Sequence, residues 1–214
     1  MANSTAVRER AGGVVGAGSR RAASRNWQYQ ILSKLLRGDL GFYGEPSNYA
    51  SHTLHAFAAK FPPQLPRIFI ERLTKPGDIV LDPMVGSGTT MVEAVLLNRI
   101  GIGFDIDPLA LKICRVKTTS AELGRLLEAG QRAHRRAAGY LEQTKLLERF
   151  FARFDSSTMD FLEYWFAPKT RLELAALVLA IEKEEAFVRE FLEVLFFRFF
   201  RCQCILRAIH SNLL

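Results

Sequence analysis

Cysteine, acidic residues and long apolar runs are all in short supply in this chain of 214 residues. The three cysteines, Cys114, Cys202 and Cys204, are an odd number without the spacing of a zinc site. This argues against a disulfide framework and favours a reducing, cytoplasmic compartment. No apolar run approaches the length of a membrane-spanning helix, so no membrane contact is predicted. The sequence also offers no group of residues that we would nominate as metal ligands.

The deficit of acids leaves a positive balance, with 29 lysines and arginines against 22 aspartates and glutamates and a formal charge of +7. Such an excess suits a polyanionic partner such as nucleic acid, although a solvated basic surface has the same composition. With 49% hydrophobic residues the chain can bury one domain-sized core. Residues 1–25, which are rich in Ala, Gly, Ser and Arg, have little to bury and are predicted to form a disordered basic tail.

One stretch organises the rest of the chain. A short β-branched and leucine run ends in Asp82, a turn with Gly86 and Gly88 follows, and a helix comes next. Asp82 then lies at the carboxyl edge of a parallel sheet, where open α/β folds bind ligands. The two glycines permit positive φ and leave room for a ligand against the backbone. We call residues 82–90 the cofactor turn, because the amides from Ser87 onward become donors at a helix N-terminus.

Two common cofactor motifs do not fit this turn. A phosphate-binding P-loop would need a lysine after Gly88, and a dinucleotide fingerprint would need a third glycine where Met91 stands. A ligand with an amino-acid end and a nucleoside end suits the turn better than one with a pyrophosphate. The next strand, Ile100 to Asp105, ends in a second carboxylate that is positioned to hold a ribose diol. The alternative is an ordinary βαβ unit whose glycines only shape a turn.

Three segments resemble, in a consistent order, motifs of the DNA amino-methyltransferases, which modify the exocyclic nitrogen of cytosine or adenine. Residues 82–90 look like the S-adenosylmethionine motif, with Met84 where the family usually has phenylalanine. Residues 103–110 resemble the next motif, whose acidic residue holds the ribose. Residues 55–66 resemble the segment that closes over the methionine end of the cofactor. Together these motifs cover about Ser51 to Thr119.

The resemblance implies S-adenosyl-L-methionine as cofactor and double-stranded DNA, with its target base flipped, as partner in DNA methylation and restriction-modification. Asp105 would hold the ribose, and Asp82 would lie near the methionine end. Phe61 and Pro62 would lie near the methionine or the adenine. The full set of cofactor-binding positions carried over from the family is Phe61, Pro62, Asp82, Pro83, Gly86, Ser87, Gly88, Thr89, Asp105 and Ile106.

The catalytic motif of the family, a polar residue followed by two prolines and an aromatic residue, is not found in this sequence. The only Pro-Pro is Pro62-Pro63, which follows Phe61 and precedes Gln64. The resemblance therefore gives no catalytic residue. We expect a truncated or frameshifted methyltransferase, and whether it is active as an isolated chain stays open.

The expected fold class is α/β, an incomplete Rossmann-like methyltransferase fold with a largely helical C-terminal half. Only two strands are convincing, residues 79–82 and 100–105, whereas a parallel sheet needs several. Residues 26–119 are predicted to be the cofactor-binding part. Residues 120–214 are predicted to be a helical insertion or an incomplete continuation of the same domain.

Several alternatives stay open from the sequence. The acceptor could be RNA or another substrate, and the chain could be a catalytically inactive cofactor-binding fragment. Basic residues between Arg132 and Arg136 fit a phosphate backbone or a solvated helix face equally well. His52 and His55 have no visible metal or catalytic partners and are predicted to be hydrogen-bonded loop residues. Ser156 or Ser157 is predicted to cap a helix.

Overall fold

A computed structural model describes residues 17–57 and 60–200, and the side chains of residues 27–57 and 60–198. This part of the chain is mostly helical and contains one small parallel sheet. Its elements, in chain order, are α1 (Ala17–Leu36), α2 (Gln64–Leu73), β1 (Ile79–Asp82), α3 (Thr89–Leu96), β2 (Ile100–Gly103), α4 (Pro108–Thr118), α5 (Leu123–Tyr140), α6 (Thr144–Phe151), α7 (Ser156–Trp165), α8 (Pro168–Ile181) and α9 (Ala186–Phe200).

The sheet is built from the two predicted strands, which pair in parallel with Ile79 opposite Ile100. Helix α3 connects the strands and packs against both of them. Gly103 is required by the close approach of the cofactor turn, since a Cβ there would lie 2.8 Å from Cγ2 of Val85. β2 ends at Gly103 rather than at the predicted Asp105, because the Asp105 carboxylate turns back to accept a hydrogen bond from the cofactor turn.

The opposite face of the sheet is open to solvent in the described part of the chain. Side chains at alternate positions of a strand share one face, and the register places four apolar residues together there. They are between 40% and 62% exposed, and we call them the open sheet face: Ile79, Leu81, Ile100 and Ile102.

Helices α5 to α9 enclose the largest hydrophobic core. Three alanines spaced four residues apart, Ala129, Ala133 and Ala137, form a narrow stripe on α5. These small side chains let α5 approach α8 closely, and the contact is sealed by Leu179 and its neighbours. These helices lie within residues 120–214, the predicted helical region, of which residues 201–214 lie outside the described residues.

The helical half is joined to the sheet through α4 and α9. Ile113 and Val116 of α4 and Val194 of α9 form a small buried cluster. On the flank of this contact, Lys112 pairs with Glu193 across the two helices. The cofactor turn therefore lies against a helix that is itself held by the C-terminal core.

Basic residues of α5 between Arg132 and Arg136, the basic cluster, contribute to the packing of α5 against α8 and the turn that follows it. Arg132 and Arg136 both reach the side chain of Glu184 at 2.9 Å, and Arg136 also donates to the carbonyl of Ala180 at 3.0 Å. Two of the cluster's arginines thus hold the turn between α8 and α9. His134 and Arg135 of the same cluster are exposed, and phosphate contact or a solvated helix face stays a prediction for the cluster.

Two local predictions differ from the structure. The cap of α7 is Asp155, whose carboxylate accepts from the amide of Thr158 at 2.7 Å, so Ser156 and Ser157 lie one and two residues inside the helix. A carboxylate at this position also favours the positive end of the helix dipole. Helix α1 begins at Ala17 and so overlaps the predicted tail at residues 17–25, where alanine and arginine are strong helix formers. Residues 1–16 of that tail lie outside the described residues.

Candidate cofactor site

The cofactor turn follows directly from the end of β1. The amide of Met84 donates to Asp82 Oδ1 at 3.0 Å, which starts the turn. Gly86 and Gly88 adopt positive φ values of 51° and 83°, as the sequence predicts. Gly88 also presses against α4, because a Cβ there would lie 2.6 Å from the sulfur of Cys114. Any side chain at Gly88 would therefore push the turn away from the helix beneath it.

Asp105 joins the second strand end to this turn. Its Oδ2 accepts a hydrogen bond from the amide of Gly86 at 2.8 Å, and its Oδ1 accepts from the amide of Asp107 at 2.9 Å. These backbone donors, Asp107 first and Gly86 second, lower the pKa of Asp105, so the carboxylate is ionised at neutral pH. Both carboxylates predicted to hold one ligand therefore accept hydrogen bonds from backbone amides of the cofactor turn.

The remaining predicted positions fall into buried and exposed groups. Ser87 and Thr89 are buried, at 3% and 5% exposure, where α3 begins. Pro83 and the fully exposed Ile106 lie at the surface beside the turn. The predicted site therefore has a buried part at the start of α3, Ser87 and Thr89, and an exposed apolar rim that includes Pro83 and Ile106.

The segment predicted to close over the methionine end meets the turn at a different residue. Phe61 and Pro62 are exposed just before α2. The aromatic ring that lies against the turn is Phe57, whose Cε1 is 3.6 Å from the position a Cβ of Gly86 would take. The sequence reasoning missed Phe57, and its only signal was membership of the same aromatic segment.

A buried polar cluster fastens this N-terminal segment to α3, and the sequence reasoning missed it. Glu93, fully buried on α3, accepts hydrogen bonds from Tyr49 at 2.7 Å and from Arg67 of α2 at 3.2 Å. Its Oε1 also lies 2.7 Å from Nε2 of His52. We call these four residues the Glu93 clamp. It ties the loop that carries Phe57, and α2, to the helix that begins at the cofactor turn.

Burial and hydrogen bonding within the Glu93 clamp shift the pKa values of its residues. Burial opposes ionisation of Glu93, but the hydrogen bonds from His52 and Tyr49 outweigh it and keep the pKa of Glu93 below its ordinary value. Burial, reinforced by the neighbouring carboxylate of Glu93, raises the pKa of Tyr49 to about 12. Glu93 is therefore the one anion around which the clamp's donors converge.

The two histidines of the loop behave differently. His52 is hydrogen-bonded, as predicted, although its partner Glu93 lies 41 residues away. His55 is also buried, but its Nδ1 has no hydrogen-bond partner among the described residues. Within residues 17–57 and 60–200 there is no group of three His, Cys, Asp or Glu side chains that could hold a metal ion. In the same residues no helix is long and apolar enough to cross a membrane.

The comparisons with known proteins match the part of the chain that contains the candidate site. Residues 18–115 match a family model described as DNA methylase. The type II methyltransferase M.MjaII of Methanocaldococcus jannaschii is 39% identical over 105 residues, which cover 48% of this chain and 20% of that protein. M2.DpnII, a type II methyltransferase of Streptococcus pneumoniae, is 49% identical over 63 residues, covering 28% of this chain and 24% of that protein.

A third relative extends the same pattern. The type II methyltransferase M.MvaI of Kocuria varians is 36% identical over 104 residues, covering 46% of this chain and 23% of that protein. In each of these three comparisons the matched segment spans less than a quarter of the relative. No solved structure matches the chain.

Proposed function

We propose that this chain, of which residues 18–115 match the family model described as DNA methylase, is the cofactor-binding part of a DNA amino-methyltransferase. The reaction would transfer a methyl group from S-adenosyl-L-methionine to the exocyclic nitrogen of cytosine or adenine. The unit β1-α3-β2 would then belong to a Rossmann-like α/β domain, with α5 to α9 as its helical extension.

The observation that carries this proposal is the meeting of two acidic strand ends at one glycine turn. The Asp105 carboxylate lies 2.8 Å from the amide of Gly86. An ionised carboxylate has about four lone-pair sites, so Asp105 can accept from a ribose diol while it keeps its two backbone donors. Gly86 presents backbone without a Cβ atom beside this carboxylate. An arrangement of this kind suits the nucleoside part of the cofactor.

The surroundings of the turn suit the rest of the cofactor. Met84 and Ile106 flank the turn as apolar side chains that are 83% and 100% exposed. Such exposure is costly in water unless a ligand covers it, and we assign this rim, with Pro83, to the adenine. Phe57, and Phe61 with Pro62 behind it, would close over the methionine end. When bound, the cofactor supplies an electrophilic methyl group, and the chain's own residues bind and orient it.

We assign no catalytic residue. Methylation of an exocyclic amino group requires acceptors for its protons and a surface for the extruded base. The 214 residues contain no Pro-Pro-aromatic motif to provide them. DNA with a flipped target base is the partner we propose, supported by the family match and by the charge of +7.

The experiment that tests the cofactor site is calorimetric titration of the chain with S-adenosylhomocysteine. We expect the variant Asp105→Ala to lose affinity on the order of a hundredfold, since charge-assisted bonds to the ribose disappear. Asp155→Ala is the matched control. Asp155 likewise accepts from a backbone amide, that of Thr158, and lies in the helical half, so its loss should leave affinity unchanged. Unaltered affinity in Asp105→Ala would remove the basis of the proposal.

A second experiment tests which nucleic acid receives the methyl group. The chain is incubated with labelled cofactor and unmethylated DNA or structured RNA. We expect no turnover by the isolated chain, because its 214 residues lack the Pro-Pro-aromatic motif that would hold the amino group. Turnover would show that the catalytic acceptor is present in a form other than the Pro-Pro-aromatic motif, and preferential labelling of RNA would contradict the DNA assignment.

A further inference from the structure

Lys117 is a buried cation at the edge of the proposed site. It lies in the last turn of α4, is 6% exposed, and donates from Nζ to Oγ of Ser87 at 3.2 Å. Ser87 belongs to the cofactor turn, and Cys114, one turn earlier on α4, is the residue against Gly88. Lys117 therefore approaches the turn from beneath, beside the start of α3.

The surroundings of Lys117 are positive. Among the described residues no aspartate or glutamate forms an ion pair with it, whereas Lys112 on the same helix pairs with Glu193. Its charged neighbour is Lys60, and burial together with Lys60 lowers the pKa of Lys117 to about 8. The nearby thiol of Cys114 is neutral, since burial raises its pKa to about 11. Burial of an ammonium ion without a counterion is unfavourable.

His55, whose pKa is affected by the charge of Lys117, is a second buried polar residue without a complete set of hydrogen bonds. It is 92% buried as judged by its 8% exposure, and its Nδ1 has no partner in the described residues. Burial lowers the pKa of His55, and the charges of Lys117, Arg198 and Lys60 lower it further. The carboxylates of Asp82 and Asp105 accept hydrogen bonds from the backbone amides of Met84, Gly86 and Asp107, and among the described residues neither forms an ion pair with Lys117.

We propose that Lys117 binds the carboxylate of the cofactor's amino-acid end, beside Ser87 and the N-terminus of α3. This inference rests on the proposed function and gives it a further residue. A carboxylate here would supply the counterion that Lys117 lacks and an acceptor for a donor on His55. The helix dipole of α3 favours an anion at the same point. In S-adenosylmethionine the carboxylate is the only anionic group, so the site fixes which end of the cofactor lies over Ser87.

The test compares two ligands. S-adenosylhomocysteine carries the carboxylate, and 5′-methylthioadenosine has the same nucleoside and thioether without it. In calorimetric titrations we expect Lys117→Met to lose about tenfold to a hundredfold in affinity for S-adenosylhomocysteine and to bind 5′-methylthioadenosine like the unmodified chain. Lys112→Met is the matched control, a buried lysine on the same helix whose partner is Glu193. It should leave both affinities unchanged.

The outcomes separate this inference from the proposed function. If Lys117→Met keeps its affinity for S-adenosylhomocysteine, or weakens both ligands alike, the carboxylate site is wrong while the cofactor site stands. If the unmodified chain binds neither ligand, the proposed function itself fails.

A second measurement needs no variant and covers the case in which Lys117→Met does not fold. The unmodified chain is titrated with S-adenosylhomocysteine and with its carboxamide, which share the same amino group. Since burial lowers the pKa of Lys117 to about 8, the preference for the acid should be constant below pH 8 and fall toward pH 10 as the ammonium loses its proton. A preference that does not change over this range would overturn the assignment.

Discussion

The two halves of this molecule are stabilised in different ways. The helical half, α5 to α9, shares one core of seventeen buried hydrophobic residues. The half with the sheet has two clusters of three buried residues each, and one of these is shared with α9. Apolar burial scales with area, so the helical half carries most of the hydrophobic stabilisation.

In the half with the sheet, hydrogen bonds and ion pairs compensate for the smaller hydrophobic core. Glu93 holds three donors in the buried interior, and Asp105 holds the cofactor turn. Arg99 fastens the end of α2, donating from Nε and Nη2 to the side chain and carbonyl of Thr74 at 2.9 and 2.8 Å. Directional bonds of this kind fix positions at modest net stability. The comparison teaches that the site is positioned by hydrogen bonds and supported by a core built elsewhere.

The largest effect on stability should come from the core of the helical half. Leu179 on α8 is 4% exposed within the seventeen-residue core. We expect Leu179→Ala to lower the free energy of unfolding by about 3 kcal/mol, from lost burial and the cavity that remains. Chemical denaturation measures this value. A loss below about 1 kcal/mol would mean that the core is less tightly packed than its burial indicates.

A smaller effect, but one that reaches the site, should follow from Glu93→Gln. The amide keeps an acceptor but no charge, so Arg67 loses its buried partner, and we expect a loss of about 2 kcal/mol. The loop that carries Phe57 should then exchange its amide hydrogens faster, and the affinity for S-adenosylhomocysteine should fall. Hydrogen exchange and calorimetry measure the two changes.

The matched control is Glu184→Gln. Glu184 also holds two arginines, Arg132 and Arg136, but in the helical half. The variant Glu184→Gln should lose some stability but none of its affinity for S-adenosylhomocysteine. If both variants lost affinity alike, the Glu93 clamp would have no particular role in the site.

The effect of Glu93→Gln should also depend on pH. The pKa of Glu93 is lowered on folding, so its charge contributes stability above the ordinary glutamate value of 4.5, and this contribution is lost as pH falls through the lowered value. The difference in unfolding free energy between the unmodified chain and the variant should thus be constant near neutral pH and shrink in acid. A difference that grew in acid would contradict an ionised Glu93.

Local chemistry made the centre of the site predictable. The glycines at 86 and 88, the proline after Asp107 and the strand from Ile79 to Asp82 are short-range signals, and the structure has the corresponding turn, helix start and strand. The same motifs lie within residues 18–115, which match the family model described as DNA methylase. The chemistry of each residue in the turn was visible within about ten positions of the chain.

Long-range pairing was not predictable in the same way. Glu93 lies 44 residues from Tyr49 and 26 from Arg67, and its place on an apolar helix gives no sign of either partner. Lys117 reaches Ser87 across 30 residues for the same reason. Such contacts depend on how helices pack on the sheet, which the spacing of residues along one element does not encode. The prediction of the α7 cap failed more locally, because Asp155 competes with the two serines that follow it for the same role.

The smallest effect on stability should come from the open sheet face, and it gives the sharpest test of the contrast between the halves. Leu81 is 60% exposed there, beside Ile102. Leu81→Thr removes an apolar side chain of the size of Leu179 and introduces a β-branched residue, which suits a strand. We expect a change within about 0.5 kcal/mol, because little surface is buried. Light scattering during denaturation should also show less association, since an exposed apolar face favours aggregation.

A loss of unfolding free energy near that of Leu179→Ala would show that the open sheet face is covered in solution. If that loss grows with protein concentration, the face is covered by a second copy of the chain. In that case the hydrophobic stabilisation of the two halves would be alike, and the contrast drawn between them would fail.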